Sequence, residues 1–234
     1  MHYAIIAAGE GSRLAQEGVP VPKPMVRLDD RPMLKRLIDI FAAYKAESIS
    51  LIANAKMPEV CEYLEALAQE IPILRVVVAS TPSSMHSLRE VTRDIPSGKV
   101  IATTVDTIFH PEDFYRYAEA FDAVTDADAF MGVTDYIDDE KPLYVRTDDK
   151  LGITGFFDTD QGDRYISGGI YGLTKKAVDL LAPCIESGMS RMRNYQRALV
   201  DNGLRVQAFP FGKIIDVDHA SDIEKARKFL NISQ

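Results

Sequence analysis

The segment Ala7-Ala8-Gly9-Glu10-Gly11-Ser12-Arg13-Leu14, followed by Pro22-Lys23-Pro24, combines residue types suited to holding phosphate. Two glycines let the backbone approach an anion, and consecutive N–H groups in such a turn form a concavity for it. Arg13 adds a forked donor to phosphate oxygens. Lys23, held between two prolines with fixed φ, adds a second cation at a stiff position. The pattern differs from both common phosphate loops. Leu14 stands where the dinucleotide fingerprint has its third glycine, and the Gly-Lys-Ser/Thr of a Walker loop is absent. A glycine-rich turn with one arginine and one lysine also serves in many α/β proteins as a plain connection, so the loop gains meaning only in combination with other groups.

Acidic residues supply the other half of that chemistry. Asp106 ends the run Val100-Ile101-Ala102-Thr103-Thr104-Val105, and Asp216 and Asp218 alternate in Ile215-Asp216-Val217-Asp218. Magnesium takes hard oxygen ligands, usually one or two carboxylates with phosphate oxygens and water, so these acids are candidates to hold it. Taken alone, Asp106 serves equally well as a turn cap. Asp216 and Asp218 fall on one face of an extended segment, so either suits a metal; the alternative for Asp218 is a hydrogen bond to the turn before Ser221. Cys61 and Cys184 have no histidine at ligand spacing and read as two buried, reduced thiols. Surface or packing roles suffice for His2, His110 and His219. His86 lies in the small polar stretch Thr81-Pro82-Ser83-Ser84-Met85-His86, where a ligand contact by His86 or Ser84 competes with plain packing.

The elements that must position these groups follow from periodicity. Tyr3 to Ala8 predicts a buried strand ending at the glycine loop, and Pro32 opens a helix with Leu34, Leu37, Ile38 and Phe41 on one face. Strands at Ile49 to Ala53, Ile73 to Ala79 and Val100 to Val105 alternate with helices at Pro58 to Glu70, Ser84 to Asp94 and Pro111 to Phe121. That alternation implies crossovers and a parallel sheet covered on both faces. Strands at Ala129 to Asp135, Leu143 to Thr147, Gly152 to Phe157 and Tyr165 to Leu173 are joined by acidic or glycine turns, which predicts an antiparallel addition. Helices at Lys175 to Glu186 and Met192 to Asn202, a strand at Leu204 to Phe209 and a helix from Ser221 to Leu230 complete the chain, the last with Glu224 in a capping box. The expected fold is α/β, a three-layer α/β/α Rossmann-like arrangement with a mixed, mostly parallel sheet. One domain over 1–234 is expected, with a nucleotide-binding half (1–125) and a half for the second substrate and the second metal aspartate (126–234).

A formal net charge of -8 argues against a nucleic-acid surface, because a polyanion needs a basic footprint. No window is apolar enough to span a bilayer and no basic leader opens the chain, so the expectation is a cytoplasmic protein with no membrane partner.

Together these residues resemble the sugar-phosphate nucleotidyltransferase superfamily, whose signature is a strand, Ala-Ala-Gly-x-Gly-x-Arg and, some ten residues on, Pro-Lys-Pro. The Val100–Asp106 strand resembles the one that ends in the family's first metal aspartate. Ser167-Gly168-Gly169-Ile170-Tyr171 resembles the Asn-Ala-Gly-Ile-Tyr strand that approaches the sugar, and Ile215-Asp216-Val217-Asp218 the segment bearing the second aspartate. The resemblance implies that Ala7, Ala8, Gly9, Gly11, Ser12, Arg13, Lys23 and Ser84 meet a nucleoside triphosphate. It implies that His86, Gly168, Gly169 and Tyr171 meet a phosphorylated small substrate, and that Asp106 and Asp216 hold Mg2+. Arg13 and Lys23 then carry catalysis: an acceptor phosphate attacks the α-phosphorus and pyrophosphate leaves, with no enzyme nucleophile or general base.

Two departures bear on the acceptor. The family's Glu-Lys-Pro is absent after Phe156-Phe157-Asp158, with Lys141, Arg146 and Arg164 as possible substitutes, and Ser83 to Leu88 resembles the matching stretch of phosphocholine cytidylyltransferases. A sugar-1-phosphate is the first expectation and a phospho-alcohol the second. A glycosyltransferase, suggested by Asp216-Val217-Asp218, would leave Arg13 and Lys23 without a purpose. A non-catalytic nucleotide-binding regulator would not need both metal aspartates.

Overall fold

The computed structural model describes residues 1–95 and 98–231. Strands β1 (His2–Ala7), β2 (Ser48–Ala53), β3 (Leu74–Val78) and β4 (Val100–Thr104) alternate with helices α1 (Ser12–Gln16), α2 (Met33–Ala42), α3 (Pro58–Glu70) and α4 (Ser84–Thr92). Then come β5 (Thr107–Ile108), α5 (Pro111–Ala123), β6 (Ala129–Thr134), β7 (Tyr144–Thr147), β8 (Ile153–Phe157) and β9 (Tyr165–Leu173). Helices α6 (Lys175–Asp179), α7 (Leu181–Glu186) and α8 (Met192–Asp201), strands β10 (Val206–Pro210) and β11 (Ile215–Asp216), and helix α9 (Ala220–Phe229) follow.

The main sheet has the order β10-β6-β9-β4-β1-β2-β3, with β7 and β8 attached at β9. β1 pairs in parallel with both β2 and β4, and β9 runs against both β4 and β6, so β10, β6, β4, β1, β2 and β3 share one direction. The sheet is therefore mixed and mostly parallel. Alternation along β1 assigns its two faces: Ala4 and Ile6 join the core under α4, α7 and α8, while Tyr3, Ile5 and Ala7 join the core under α2, α3 and α5. These two cores make the three layers. A smaller third core of Leu14, Val26, Leu28, Met33, Ile108, Ile215, Val217 and Ala226 ties α1, α9 and the β5–β11 pair together.

Three details depart from expectation, each for a local reason. The helix expected over Lys175 to Glu186 is broken at Leu180, because Pro183 has no N–H to donate and its ring crowds the carbonyl of Asp179. β3, expected as a buried strand, is an edge strand with Val78 exposed. At α9 the cap lies two residues earlier than Ser221 and Glu224, at His219 and Asp222: the Asp222 carboxylate accepts from the N–H groups of Asp218 (3.2 Å) and His219 (2.8 Å). No helix among the described residues is long and apolar enough to cross a membrane.

Glu17 completes the α9 terminus by accepting from His219 Nδ1 (2.5 Å) and the Ala220 N–H (2.6 Å). The bond to Glu17 is the main cause that raises the His219 pKa above 6.5; the same bond, then the Ala220 N–H, lowers Glu17 below 4.5. A raised histidine stabilises the fold fully below its ordinary value and stops doing so as pH rises through the folded one. A lowered carboxylate stabilises above its ordinary value and stops as pH falls. The contact is thus at full strength between the ordinary values of 4.5 and 6.5. An NMR titration of the His219 ring should give a midpoint above the ordinary value that Glu17→Gln returns toward it; an unchanged midpoint in the variant would remove this explanation.

Candidate active site

The strand order reverses between β1 and β4, and a crevice at such a switch point, outside the carboxyl ends of the strands, is where open α/β sheets gather ligands. A cleft of about 490 Å³ opens there. Its lining comes from the exits of four strands: Ala8 to Arg13 after β1, Asn54 after β2, Thr81 to Ser84 after β3, and Thr104 to Asp106 at β4. Lys23 and Asp218 close it.

Lys23 is the electrostatic centre of the cleft. It starts a short 3-10 turn, Lys23–Met25, and its side chain is only 9% exposed. Its ammonium meets Asp106 Oδ2 and lies 2.5 Å from Asp218 Oδ1. Burial works against the lysine charge, but the two carboxylates outweigh it and raise the pKa above the ordinary lysine value. Arg13, more than half exposed, donates from Nη1 to Asp218 Oδ2 at 2.6 Å. Partial burial alone would raise the Asp218 carboxyl; Lys23 and Arg13 instead hold it below the ordinary range. The carboxylate of Asp218 therefore faces the two cations, and the turn before Ser221 is met only by its backbone N–H.

Gly11 makes this approach possible. Its φ is 62°, and a Cβ there would fall 2.6 Å from the Cβ of Lys23. Gly11→Ala must both strain the backbone and push Lys23 aside, which should cost about 1–3 kcal/mol of stability. A thermal melt and a nucleotide titration of this variant should both deteriorate; an unchanged pair would show that the loop can re-form around a side chain.

Asp106 and Asp216 are brought together by β5 and β11, an antiparallel pair with Asp216 opposite Thr107. The Val217 N–H donates to the Asp106 carbonyl at 3.1 Å. Desolvation by the surrounding residues, then the Asp106 carboxylate, pushes the Asp216 acid well above the ordinary range, although Asp216 is exposed at the surface and stands outside the cleft lining. Asp106 Oδ1 is buried with no hydrogen-bond partner. Two neighbouring carboxylates with an unmatched buried oxygen suit a small divalent cation that completes its shell with phosphate and water. Among the described residues no cluster of three or more His, Cys, Asp or Glu forms a complete protein cage.

The other sequence candidates distribute as follows. Ala8, Gly9, Gly11, Ser12 and Ser84 line the cleft, whereas Ala7 is buried beneath it in β1. His86 lies on α4 outside the lining, with Nδ1 2.9 Å from Ser83 Oγ. Gly168 and Gly169 belong to β9 behind the acidic pair: a Cβ on Gly168 would fall 2.4 Å from Ile214, and Gly169 lies against Thr107. Tyr171 is buried, and its phenol is raised by desolvation first and then by Asp216 and Asp106, which marks it as a neighbour of the acidic pair. Asn54, Thr81, Ser87 and Thr104 also line the cleft without having been sequence candidates for it, and so does Asp218, a metal-ligand candidate that instead meets Arg13 and Lys23. Asn54 could have been found, since it directly follows a strand whose carboxyl end must face the same crevice.

The basic residues considered for the acceptor side are occupied in different ways. Arg146 pairs with Asp163 at 3.0 Å over the ring of Phe157, and Arg164 with Asp135 at 3.1 Å. Lys141 contributes its carbonyl to Arg193 at 3.0 Å. Asp158, just past β8, is instead met by two α8 cations, Arg193 (2.6 Å) and Arg197 (2.8 Å). The N-terminus of α8 is docked on the cleft wall, where Ser83 and Ser84 hydroxyls accept from the N–H groups of Arg191 and Met192, each at 3.3 Å.

Residues 3–162, which carry the phosphate loop, Lys23 and Asp106, match the MobA-like NTP transferase domain. The chain belongs to that family. It is 28% identical over 154 residues to a CMP-5'-(3-aminopropyl)phosphonate synthase of Streptomyces rubellomurinus, covering 58% of this chain and 24% of the relative. It is 24% identical over 238 aligned positions to the bifunctional protein GlmU of Methanococcus maripaludis, covering 99% of this chain and 55% of the relative. The chain thus spans about a quarter and about half of these curated relatives. The solved structure of the inositol-1-phosphate CTP transferase from T. maritima superposes with a TM-score of 0.81 at 19% identity, over 99% of this chain and 96% of that one. That likeness shows that this chain has the same fold.

Proposed function

We propose that this NTP transferase domain moves a nucleoside monophosphate from a triphosphate to a small phosphorylated acceptor and releases pyrophosphate, with magnesium held by Asp106 and Asp216. The observation that carries the reading is the convergence of Arg13 and Lys23 with Asp106 and Asp218 in one cleft at the strand ends. Asp218 sits where a triphosphate oxygen would sit, so the incoming anion takes over the Arg13 and Lys23 contacts. Bound magnesium would supply positive charge to phosphate oxygens facing the two aspartates. An oxygen of the acceptor phosphate, already anionic, attacks the α-phosphorus in line; the bond from that phosphorus to the bridging oxygen breaks, and pyrophosphate leaves with the electron pair. Lys23, kept charged by its two carboxylates, steadies the charge that develops, and Arg13 holds the departing end.

A sugar-1-phosphate is the acceptor we favour. A phospho-alcohol or phosphonate is the second reading, favoured by the absence of a lysine after Phe157 and by the phosphonate in the name of one relative. In either case Arg193, which reaches the end of β8 from α8, is the cation we assign to the acceptor phosphate. The test is pyrophosphate release, with magnesium, from each common triphosphate against sugar-1-phosphates, inositol phosphate, phosphocholine and aminoalkylphosphonates. Arg193→Gln should raise the acceptor KM about ten- to a hundredfold and leave the triphosphate KM alone, since a charge-assisted hydrogen bond is worth about 1.5–3 kcal/mol. Equal rises in both would place Arg193 elsewhere.

A further inference from the structure

We propose that Asn54 is a positioning residue that aims the phosphate loop, a role that rests on the triphosphate reading above. Asn54 directly follows β2, is only 5% exposed, and lines the cleft. Its side chain joins the exits of three adjacent strands. Nδ2 donates to the Ala8 carbonyl after β1 at 3.1 Å. Oδ1 accepts from the Lys56 N–H in its own turn at 3.0 Å and from Ser80 Oγ after β3 at 2.8 Å. With one amide, the phosphate loop and the wall formed by Thr81 to Ser84 hang from the same point.

The consequence follows from the planar trans peptide, in which the carbonyl of one residue and the N–H of the next point in opposite directions. β2 lies on one side of β1 and β4 on the other. Asn54 draws the Ala8 carbonyl toward the β2 side, and the Gly9 N–H is thereby turned toward the β4 side, across the crevice that ends in Asp106. Glycine at position 9 imposes no side-chain preference on that peptide, so its orientation depends on an outside hold, and Asn54 supplies it. Ser80 and the Lys56 N–H fix which way round the amide sits, so that nitrogen rather than oxygen faces Ala8.

The experiment is calorimetric titration of wild type, Asn54→Ala and Ser80→Ala with whichever magnesium triphosphate wild type binds most tightly, alongside acceptor KM and melting temperature. Asn54→Ala should weaken triphosphate binding about tenfold, the scale of one hydrogen bond to a charged group, with acceptor KM unchanged. Ser80→Ala, which only loosens the amide, should shift the same quantity in the same direction by less, and it serves as the test if Asn54→Ala does not fold. Binding within twofold of wild type in the folded variants, or acceptor KM rising in step with triphosphate Kd, overturns the role of Asn54 alone. Absence of any triphosphate binding by wild type overturns the functional reading and this role with it.

Discussion

Asp106→Asn should reduce turnover on the order of 10³-fold while the fold survives. Asparagine keeps the shape of the side chain and an oxygen for the Lys23 ammonium, so the loss is one of charge. Two opposing changes keep stability near wild type: Lys23 loses an ionic partner, and Asp216 loses the neighbour that helps push its acid upward. Steady-state turnover and a melting curve on the same preparation check both halves. Retained turnover would mean that the cleft works without charge on Asp106.

Lys23→Met should abolish turnover and also destabilise the protein, and this second effect separates it from Arg13→Ala. The Lys23 side chain is 9% exposed and faces carboxylates that are 20% and 39% exposed. Removing one partner of a buried ion pair typically costs about 3–5 kcal/mol, and the partial exposure of both acids reduces this to about 2 kcal/mol here. Because its folded pKa is raised above 10.5, the lysine's stabilisation is complete below that ordinary value and fades only as pH climbs through the folded one. Arg13, 54% exposed, makes an ion pair worth about 0–1 kcal/mol, so Arg13→Ala should weaken triphosphate binding with the melting temperature hardly moved. Denaturant unfolding of the two variants side by side distinguishes a buried pivot from an exposed clamp; equal stabilities would contradict that distinction.

The layers of the fold were legible because hydrophobic period carries them. Tyr3 to Ala7 and Tyr165 to Leu173 are buried runs of strand length, and Leu34, Leu37, Ile38 and Phe41 repeat at helical spacing. What escaped depended on partners distant in the chain. β5 and β11 are two residues each, too short for any period, yet their pairing is what sets Asp216 beside Asp106. Alternation put Asp216 and Asp218 on one face, but β11 ends at Asp216, and beyond it Asp218 turns to cations some two hundred residues earlier in sequence. The end of β2 marks Asn54 as a neighbour of the crevice, but its role lies in Ala8 and Ser80, which only the neighbouring strands supply. The break at Pro183 was the opposite case, a local rule present in the sequence that a helical count overrode.

The most direct measurement of the central claim is ³¹P NMR of the protein with magnesium, one triphosphate and one phosphorylated acceptor from the panel that supports pyrophosphate release. In-line transfer predicts that the acceptor resonance is replaced by a coupled pair from a new phosphoanhydride, with pyrophosphate appearing in equal amount and only when both substrates are present. Release of nucleoside monophosphate without that coupled pair, or phosphate loss from the triphosphate independent of acceptor, would contradict it.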